Sequence, residues 1–521
     1  MNDGSLAMRK SGRQWAGVTA VALVMTSAAC TALLDHDATQ CQSDGDCAHF
    51  GDHPYCRSGV CVASGLGPTN CFYGTPQQPQ DFMNQCSTAQ CVPFNNCQRL
   101  GLCGVDSSDP DAGLVPPPAP EGGSSTPATA DAGDAGGTLP SCVDPSNGRS
   151  QVVYLTGSSN FPPLLAKLAP LIIATGFTPV YQVTNSCTGV KAVFGTGSDQ
   201  KITDPTPGPS AKYATYFASD GSSTPCTLGP GGVQVDIGES DIFSTTCDGF
   251  GPPGGNVGEF LGPIQAMVFV VPGKSQETAI TAEAAREVFG MGGGSAAPWT
   301  NPSLYFVRNA NTGTQQQIGH AIGVPANQFW GIDRGSAANV DALMKVISDP
   351  TLAEQAIGII SADYYDGDRD NLIALAFQAE GQECAYLPDS TSYKKDKQNI
   401  RDGHYPVWGP LHFFAAVNDG VPVSPGAQAF ASVVSVPNIP QALLDAFIGA
   451  SLVPSCAMSV QRSAELGPLA NYAPPFQCGC YFEASPAVNG AAPAGCTSCN
   501  TANDCNDPKR PACNLGYCEV Q

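Results

Sequence analysis

With 521 residues, 42% of them hydrophobic, and a mean hydropathy of -0.07, the chain has room for about two to four domains and the balance of a globular protein, not a disordered one. A formal charge of -22, with no cluster of Lys and Arg, excludes nucleic acid as the expected partner, because phosphate backbones are held by grouped cations. Twenty-three cysteines exclude a reducing compartment.

The N-terminal residues set the address. Met8-Arg9-Lys10 and Arg13 form a basic region, Trp15 to Met25 a short apolar core, and Thr26-Ser27-Ala28-Ala29-Cys30 a run of small residues ending on cysteine. Residues 1–30 resemble a bacterial lipoprotein signal, with Cys30 as the lipidated residue; a plain secretory signal with an ordinary Cys30 is the alternative. Setting Cys30 aside leaves 23 - 1 = 22 cysteines, an even number suited to complete pairing. No other stretch supplies the ~18 consecutive apolar residues of a membrane span. The expected location is the bacterial cell envelope, periplasmic or outer-surface, with membrane contact through the lipid alone.

Residues 31–104 and 483–521 read as cysteine-rich modules. Cys41-x5-Cys47-x8-Cys56-x4-Cys61 returns as Cys499-x5-Cys505-x7-Cys513-x4-Cys518, and Ser58-Gly59-Val60-Cys61 has its counterpart in Leu515-Gly516-Tyr517-Cys518. So little apolar surface cannot stabilise a fold, and disulfides at about 2–4 kcal/mol each are expected to supply the rest. Cys496-x2-Cys499 admits a zinc reading, which the oxidising address and the scarcity of His disfavour. Cys71, Cys86, Cys91, Cys97 and Cys103 extend the N-terminal knot, with pairings the sequence leaves open. Residues 105–141, rich in Pro, Gly, Ala and Asp, form a linker expected to hold the next domain off the membrane.

From 142 to 482 short apolar runs alternate with helical segments. Val152-Val153-Tyr154-Leu155 predicts a strand, Pro163 to Ala174 a helix and Val180-Tyr181-Gln182-Val183 a second strand, which together open an α/β sheet. Ligands of open α/β sheets bind beyond the carboxyl ends of strands. The turns there are Thr156-Gly157-Ser158-Ser159-Asn160-Phe161-Pro162, Thr184-Asn185-Ser186-Cys187-Thr188-Gly189 and the end of Val233-Gln234-Val235-Asp236-Ile237-Gly238-Glu239-Ser240-Asp241. Further on, Leu304-Tyr305-Phe306-Val307 predicts a buried strand and Gln315 to Ile322 a helix, with Arg308-Asn309-Ala310-Asn311-Thr312-Gly313-Thr314 between them. A strand, a polar turn and a helix start make an anion site, since the first N–H groups of a helix are unpaired and Arg308 adds a permanent charge. An ordinary capped helix with a surface Arg is the bland alternative for that turn taken alone.

In this order the four turns resemble the periplasmic phosphate-binding proteins of ABC importers, a type 2 solute-binding fold in which two α/β lobes close on an oxyanion. The resemblance covers about 150–455. Gln355-Ala356-Ile357-Gly358-Ile359-Ile360 is similar to a later strand of that family, and His404-Tyr405-Pro406-Val407 to its return segment. The resemblance implies anion contacts from Asn160, Phe161, Ser186, Arg308, Thr312, Gly313 and Thr314. It implies a carboxylate, Asp241, that accepts the proton of monohydrogen phosphate and meets sulfate with repulsion. Lobe one would comprise about 150–262 and 410–455, and lobe two about 263–409.

Four departures from the family pattern stand out. Ala310 replaces an Asp that orients the Arg, and Thr188 a Gly that admits backbone to the anion. Glu239 adds a carboxylate two residues before Asp241, and 192–234 is longer than the pattern, which places a cover over the cleft within reach. Asp366-Gly367-Asp368-Arg369-Asp370 lacks the Gly and Glu of a calcium loop and reads as a solvated turn. Gly290-Met291-Gly292-Gly293-Gly294 has no Lys-Ser or Lys-Thr after it and does not read as a nucleotide site. His320 and His412 read as core or surface residues.

The sequence therefore predicts a surface-tethered lipoprotein that binds an oxyanion, phosphate above others, and hands it to an ABC transporter permease, with no metal or cofactor. It assembles no nucleophile, base and orienting group, and so is expected not to be an enzyme. The alternative is a cell-surface interaction lipoprotein on a degenerate binding-protein scaffold.

Overall fold

A computed structural model of the chain describes residues 55–57, 60–62, 71–72, 74–92, 94, 139–208, 211–435, 439–493 and 495–520. The expected signal with Cys30, and residues 95–138 with most of the linker, lie outside the described residues. The chain divides into two compact units, 1–69 and 70–521.

In the first unit Tyr55–Arg57 pairs antiparallel with Val60–Val62, with Cys56 opposite Cys61. In the second, Ala512–Asn514 pairs with Tyr517–Glu519 in the same way, with Cys513 opposite Cys518. The x4 spacing that the two modules share is thus one hairpin register used twice. In the C-terminal module Cys499 bonds to Cys513 and Cys505 to Cys518, and Cys496 bonds to Cys480. Cys496 and Cys499 are therefore disulfide sulfurs.

The second unit carries one mixed sheet of twelve strands. In chain order they are β1 Val152–Gly157, β2 Thr178–Val183, β3 Ala214–Phe217, β4 Ser223–Cys226, β5 Ile237–Ser240, β6 Val257–Pro272, β7 Tyr305–Val307, β8 Ile332–Asp333, β9 Ile357–Ser361, β10 Leu372–Ala374, β11 Trp408–Asn418 and β12 Val421–Pro422. The helices that matter here are α1 Pro162–Ile173, α2 Ser186–Phe194, α3 Ala282–Met291, α4 Gly313–Ile322, α5 Ala337–Met344, α6 Ala362–Gly367, α7 Pro425–Val434, α8 Gln441–Gly449 and α9 Gly479–Ala484. Pro162 opens α1 at the position where the missing N–H costs nothing. Asn185, Thr281, Thr312, Ser336 and Ser424 cap α2, α3, α4, α5 and α7 by accepting a backbone N–H.

The strand order is β8-β7-β9-β6-β11-β5-β1-β2-β3-β4. At one end β1, β2 and β5 run parallel, and at the other β7, β8 and β9. Two long antiparallel strands, β6 and β11, join them. Their ladder slips between Leu261 and Ile264, and such a bulge bends a strand. On one side of it Phe161, Leu165, Leu168, Phe413, Phe430 and Phe447 pack as the core of lobe one. On the other Phe269, Phe289, Trp299, Tyr305, Ile359 and Phe377 form the core of lobe two. Side chains on both faces of parallel strands are buried, as for β9, which is why these stretches read as continuous apolar runs.

The long interval before β5 adds β3 and β4 to the free edge of β2, and Cys226 on β4 bonds to Cys142. It therefore extends the sheet of lobe one. Residues 71–94 belong to the second unit and dock on lobe two: Phe82 is buried in its core, and Cys91 bonds to Cys384. The segment before the linker is thus fastened to the domain that follows the linker. After α8, Cys456 bonds to Cys478, and in the loop they close Arg462 donates to the carbonyls of Pro406 and Trp408 at the start of β11.

The expected solvated turn at Asp366 is corrected. Asp366 is 5% exposed and belongs to an ionic cluster in which Lys397 Nζ lies 2.7 Å from Asp366 and 3.0 Å from Asp389, while Arg369 meets both carboxylates. Among the described residues no helix is long and apolar enough to cross a membrane.

Candidate functional site

The turns after β1, β5 and β7 and the start of α2 meet at the junction of the lobes, where buried polar side chains concentrate. Asp241, directly after β5, is 1% exposed. Its Oδ2 accepts from Ser158 Oγ at 2.5 Å and from Asn160 Nδ2 at 2.9 Å, both in the turn after β1. Asn160 Nδ2 also reaches across to Thr314 Oγ1, 3.2 Å away on α4. Phe161 packs its ring against Tyr181 and Phe413 in the core of lobe one, so only its backbone adjoins the turn.

Ser186 opens α2. Its Oγ accepts from the backbone N–H of Gly313 at 3.0 Å and of Asp241 at 3.4 Å, one from each lobe. This close approach needs a glycine, because a Cβ on Gly313 would fall 2.5 Å from the Cβ of Asp241. The disulfide Cys187–Cys247 staples the start of α2 to the turn beyond Asp241. Thr188 donates its N–H and its hydroxyl to Asn185 Oδ1, and the tight passage falls one residue later, at Gly189.

Arg308 directly follows β7 and is 2% exposed. One nitrogen, Nη2, donates to Ser159 Oγ at 2.8 Å and to the Gly335 carbonyl at 3.2 Å, so the guanidinium is held although Ala310 offers no carboxylate. Its Nε and Nη1 are buried and have no hydrogen-bond partner among the described residues. Burial pulls its pKa down to about 10, against the pull of Asp241 and Asp333. Thr312 caps α4 and donates its hydroxyl to the Asn309 carbonyl, and Thr314 is fully buried.

Sequence reasoning missed several neighbours. Ser158 and Ser159 lie within the turn it singled out but were not chosen. Gln317 Nε2, one turn into α4, donates to the Asp241 carbonyl at 2.7 Å. Asp363, at the start of α6, is pushed up to about 7, by burial first, with Asp241 adding to it. Glu465, in the loop closed by Cys456 and Cys478, is pushed up to about 8, again by burial, and feels Asp241 as well. Tyr364 and Lys212 are close enough to Arg308 to sense its charge. None of these carries a local motif, and only the folded topology brings them to the site.

Chemically the arrangement offers one buried cation with free donors, several hydroxyls, the N-terminus of α4 and a carboxylate, which is a donor set suited to a small oxyanion that keeps a proton.

No family model matches the chain, and no curated protein matches it. Among solved structures, an ABC-type phosphate transport receptor from Vibrio cholerae overlaps with 13% identity over 58% of this chain and 99% of its own, at a TM-score of 0.37. A phosphate-binding protein from Stenotrophomonas maltophilia overlaps with 13% identity over 58% of this chain and 91% of its own, at 0.34. The Corynebacterium glutamicum OxyR C206 mutant overlaps with 10% identity over 61% and 67%, at 0.31.

Proposed function

We propose that the chain is a solute-binding lipoprotein of the cell envelope that takes an oxyanion, phosphate above others, between its two lobes and delivers it to an ABC transporter permease. The observation that carries this reading is Arg308, a buried guanidinium with two nitrogens unpartnered among the described residues. A buried cation in that state costs several kcal/mol unless an anion meets it. Ser159, on Arg308 Nη2, and Ser186 and Thr314, beside Asp241 and Asn160, add hydroxyls as neutral donors. Asp241 supports phosphate over sulfate, because a monohydrogen phosphate donates a proton to a carboxylate and sulfate has none to give. The bulge in β6 supports lobe closure about the two joining strands.

Cross-lobe bonds favour a second reading. Ser186 already accepts from Gly313, Asn160 donates to Thr314, and Cys187 N donates to the Asn311 carbonyl at 3.2 Å. A scaffold held shut in this way would serve as an interaction protein of the cell surface.

Calorimetric titration of the full chain with phosphate and with sulfate, after mild unfolding and dialysis, separates the two. Phosphate binding that is lost in Arg308→Ala and much weaker for sulfate supports transport. A folded chain that binds neither anion leaves the interaction protein.

A further inference from the structure

Glu239 occupies a position where a second carboxylate beside Asp241 ought to repel any anion, yet the fold buries it completely. It is 0% exposed, and its surroundings are built to hold it. Oε2 accepts from the Ser158 backbone N–H at 2.7 Å and from Tyr181 Oη at 2.9 Å. Glycine on both sides makes the room: a Cβ on Gly157 would fall 2.6 Å from Glu239 Oε2 and 2.1 Å from the Glu239 carbonyl, and one on Gly189 would fall 2.0 Å from that carbonyl.

The other oxygen, Oε1, is buried and without a donor among the described residues, and so is Oδ1 of Asp241. Both carboxyl groups are anchored on the same residue, Ser158, whose backbone N–H gives to Glu239 Oε2 and whose hydroxyl gives to Asp241 Oδ2. Two ionised carboxylates offer acceptors only, so in a dry site they repel, whereas a single proton between them makes a strong hydrogen bond. We propose that Glu239 and Asp241 hold one proton between them, so that Glu239 acts as a positioning residue for Asp241 and the pair faces the anion with one negative charge instead of two. The inference rests on the oxyanion reading for its functional meaning, but the shared proton itself does not.

Every element around the pair bears on this. Ser158 and Asn160, after β1, and Tyr181, on β2, donate to the carboxyls. Ser186 on α2 and Gly313 on α4 press against Asp241 from either side. Arg308 attracts the negative charge of Asp241, whereas Asp363 on α6 and Glu465 in the disulfide-closed loop add like charge and disfavour a second ionisation. Burial is the largest influence on both carboxyls and raises both.

Two measurements on the full chain test this. Infrared difference spectra at pH 7 of the natural chain against Glu239→Gln and against Asp241→Asn are expected to show one buried carboxylic-acid carbonyl component lost or shifted, beside the components of Asp363 and Glu465 that both variants keep. Variant spectra that superimpose on that of the natural chain in the carboxylic-acid region overturn the proposal. Sulfate titration between pH 6 and pH 10 is the second, since sulfate keeps its charge throughout. Affinity of the natural chain is expected to fall by about tenfold per pH unit once the shared proton leaves, and the Glu239→Gln profile is expected to be flatter by at least threefold across the range. Superimposable profiles overturn the proposal. If no anion binds at all, the oxyanion reading fails and the infrared result alone decides the shared proton.

Discussion

Two buried ionic clusters lie in the same unit, and they are completed in opposite ways. In lobe two, Arg369 uses all three nitrogens: Nε and Nη2 on Asp366, Nη2 also on Asp389 at 2.6 Å, and Nη1 on the carbonyls of Ser392 and Lys394. Lys397 neutralises the same two carboxylates. At the lobe junction Arg308 uses one nitrogen of three, and its nearby carboxylate Asp241 is drawn instead into bonds with Ser158 and Asn160. Two cations and two anions that satisfy one another make a structural element, while a cation left with free donors retains capacity for something else. The comparison teaches that burial of charge alone does not mark a site; incomplete pairing does.

The largest effect is expected where pairing is complete. Lys397→Met leaves Asp366 and Asp389 facing each other with one cation, and should lower unfolding free energy by about 3–5 kcal/mol in a denaturant titration, with anion affinity of the folded fraction unchanged. At the incomplete cluster the order reverses. Arg308→Ala should weaken phosphate binding by about 3 kcal/mol, roughly a hundredfold, while Arg308→Met should change stability by less than about 1 kcal/mol, because the native cation is desolvated without full compensation. A large loss of stability in Arg308→Met would erase the distinction between the clusters.

The clusters should also differ in their response to pH. Burial raises Asp363 to about 7 and Glu465 to about 8, so between the ordinary carboxylate range near 4 and pH 8 the folded chain holds protons that the unfolded chain has released. Unfolding free energy should therefore fall as pH rises through that window, by at most about 1.4 kcal/mol per unit for each group, and Glu465→Gln should flatten the upper part. Asp366 works the other way. Burial opposes its charge, but Lys397 and Arg369 outweigh burial and hold it below the usual range, so its contribution is present above about pH 4 and is lost as pH falls through its lowered value. The smallest effect is expected for Thr188→Gly, which should change phosphate affinity by less than about threefold, because the N–H at 188 is already given to Asn185.

What the sequence made legible follows from locality. An anion turn is contiguous, so the stretches from Thr156 to Pro162 and from Arg308 to Thr314 could be picked out, and the strands and helices flanking them fall where the apolar periodicity puts them. Arg308 meeting Ser159, 149 residues away, has no local signature. Glu239 reads as a liability in the sequence because its donors, Tyr181 Oη and the Ser158 N–H, arrive only with the fold. Asp366 looked solvated for the same reason, since Lys397 and Asp389 come from a later segment. The glycines at 157, 189 and 313 are where the sequence recorded close approach, but without coordinates nothing said to what.

The bond between Cys91 and Cys384 has a consequence for how the chain responds to cutting. Residues 95–138 lie in sequence between the docked segment 71–94, which Cys91–Cys384 fastens to lobe two, and Cys142, which is bonded to Cys226. A protease nick anywhere in that stretch would divide the polypeptide without dividing the molecule: the halves would migrate as one species until a reductant opened Cys91–Cys384.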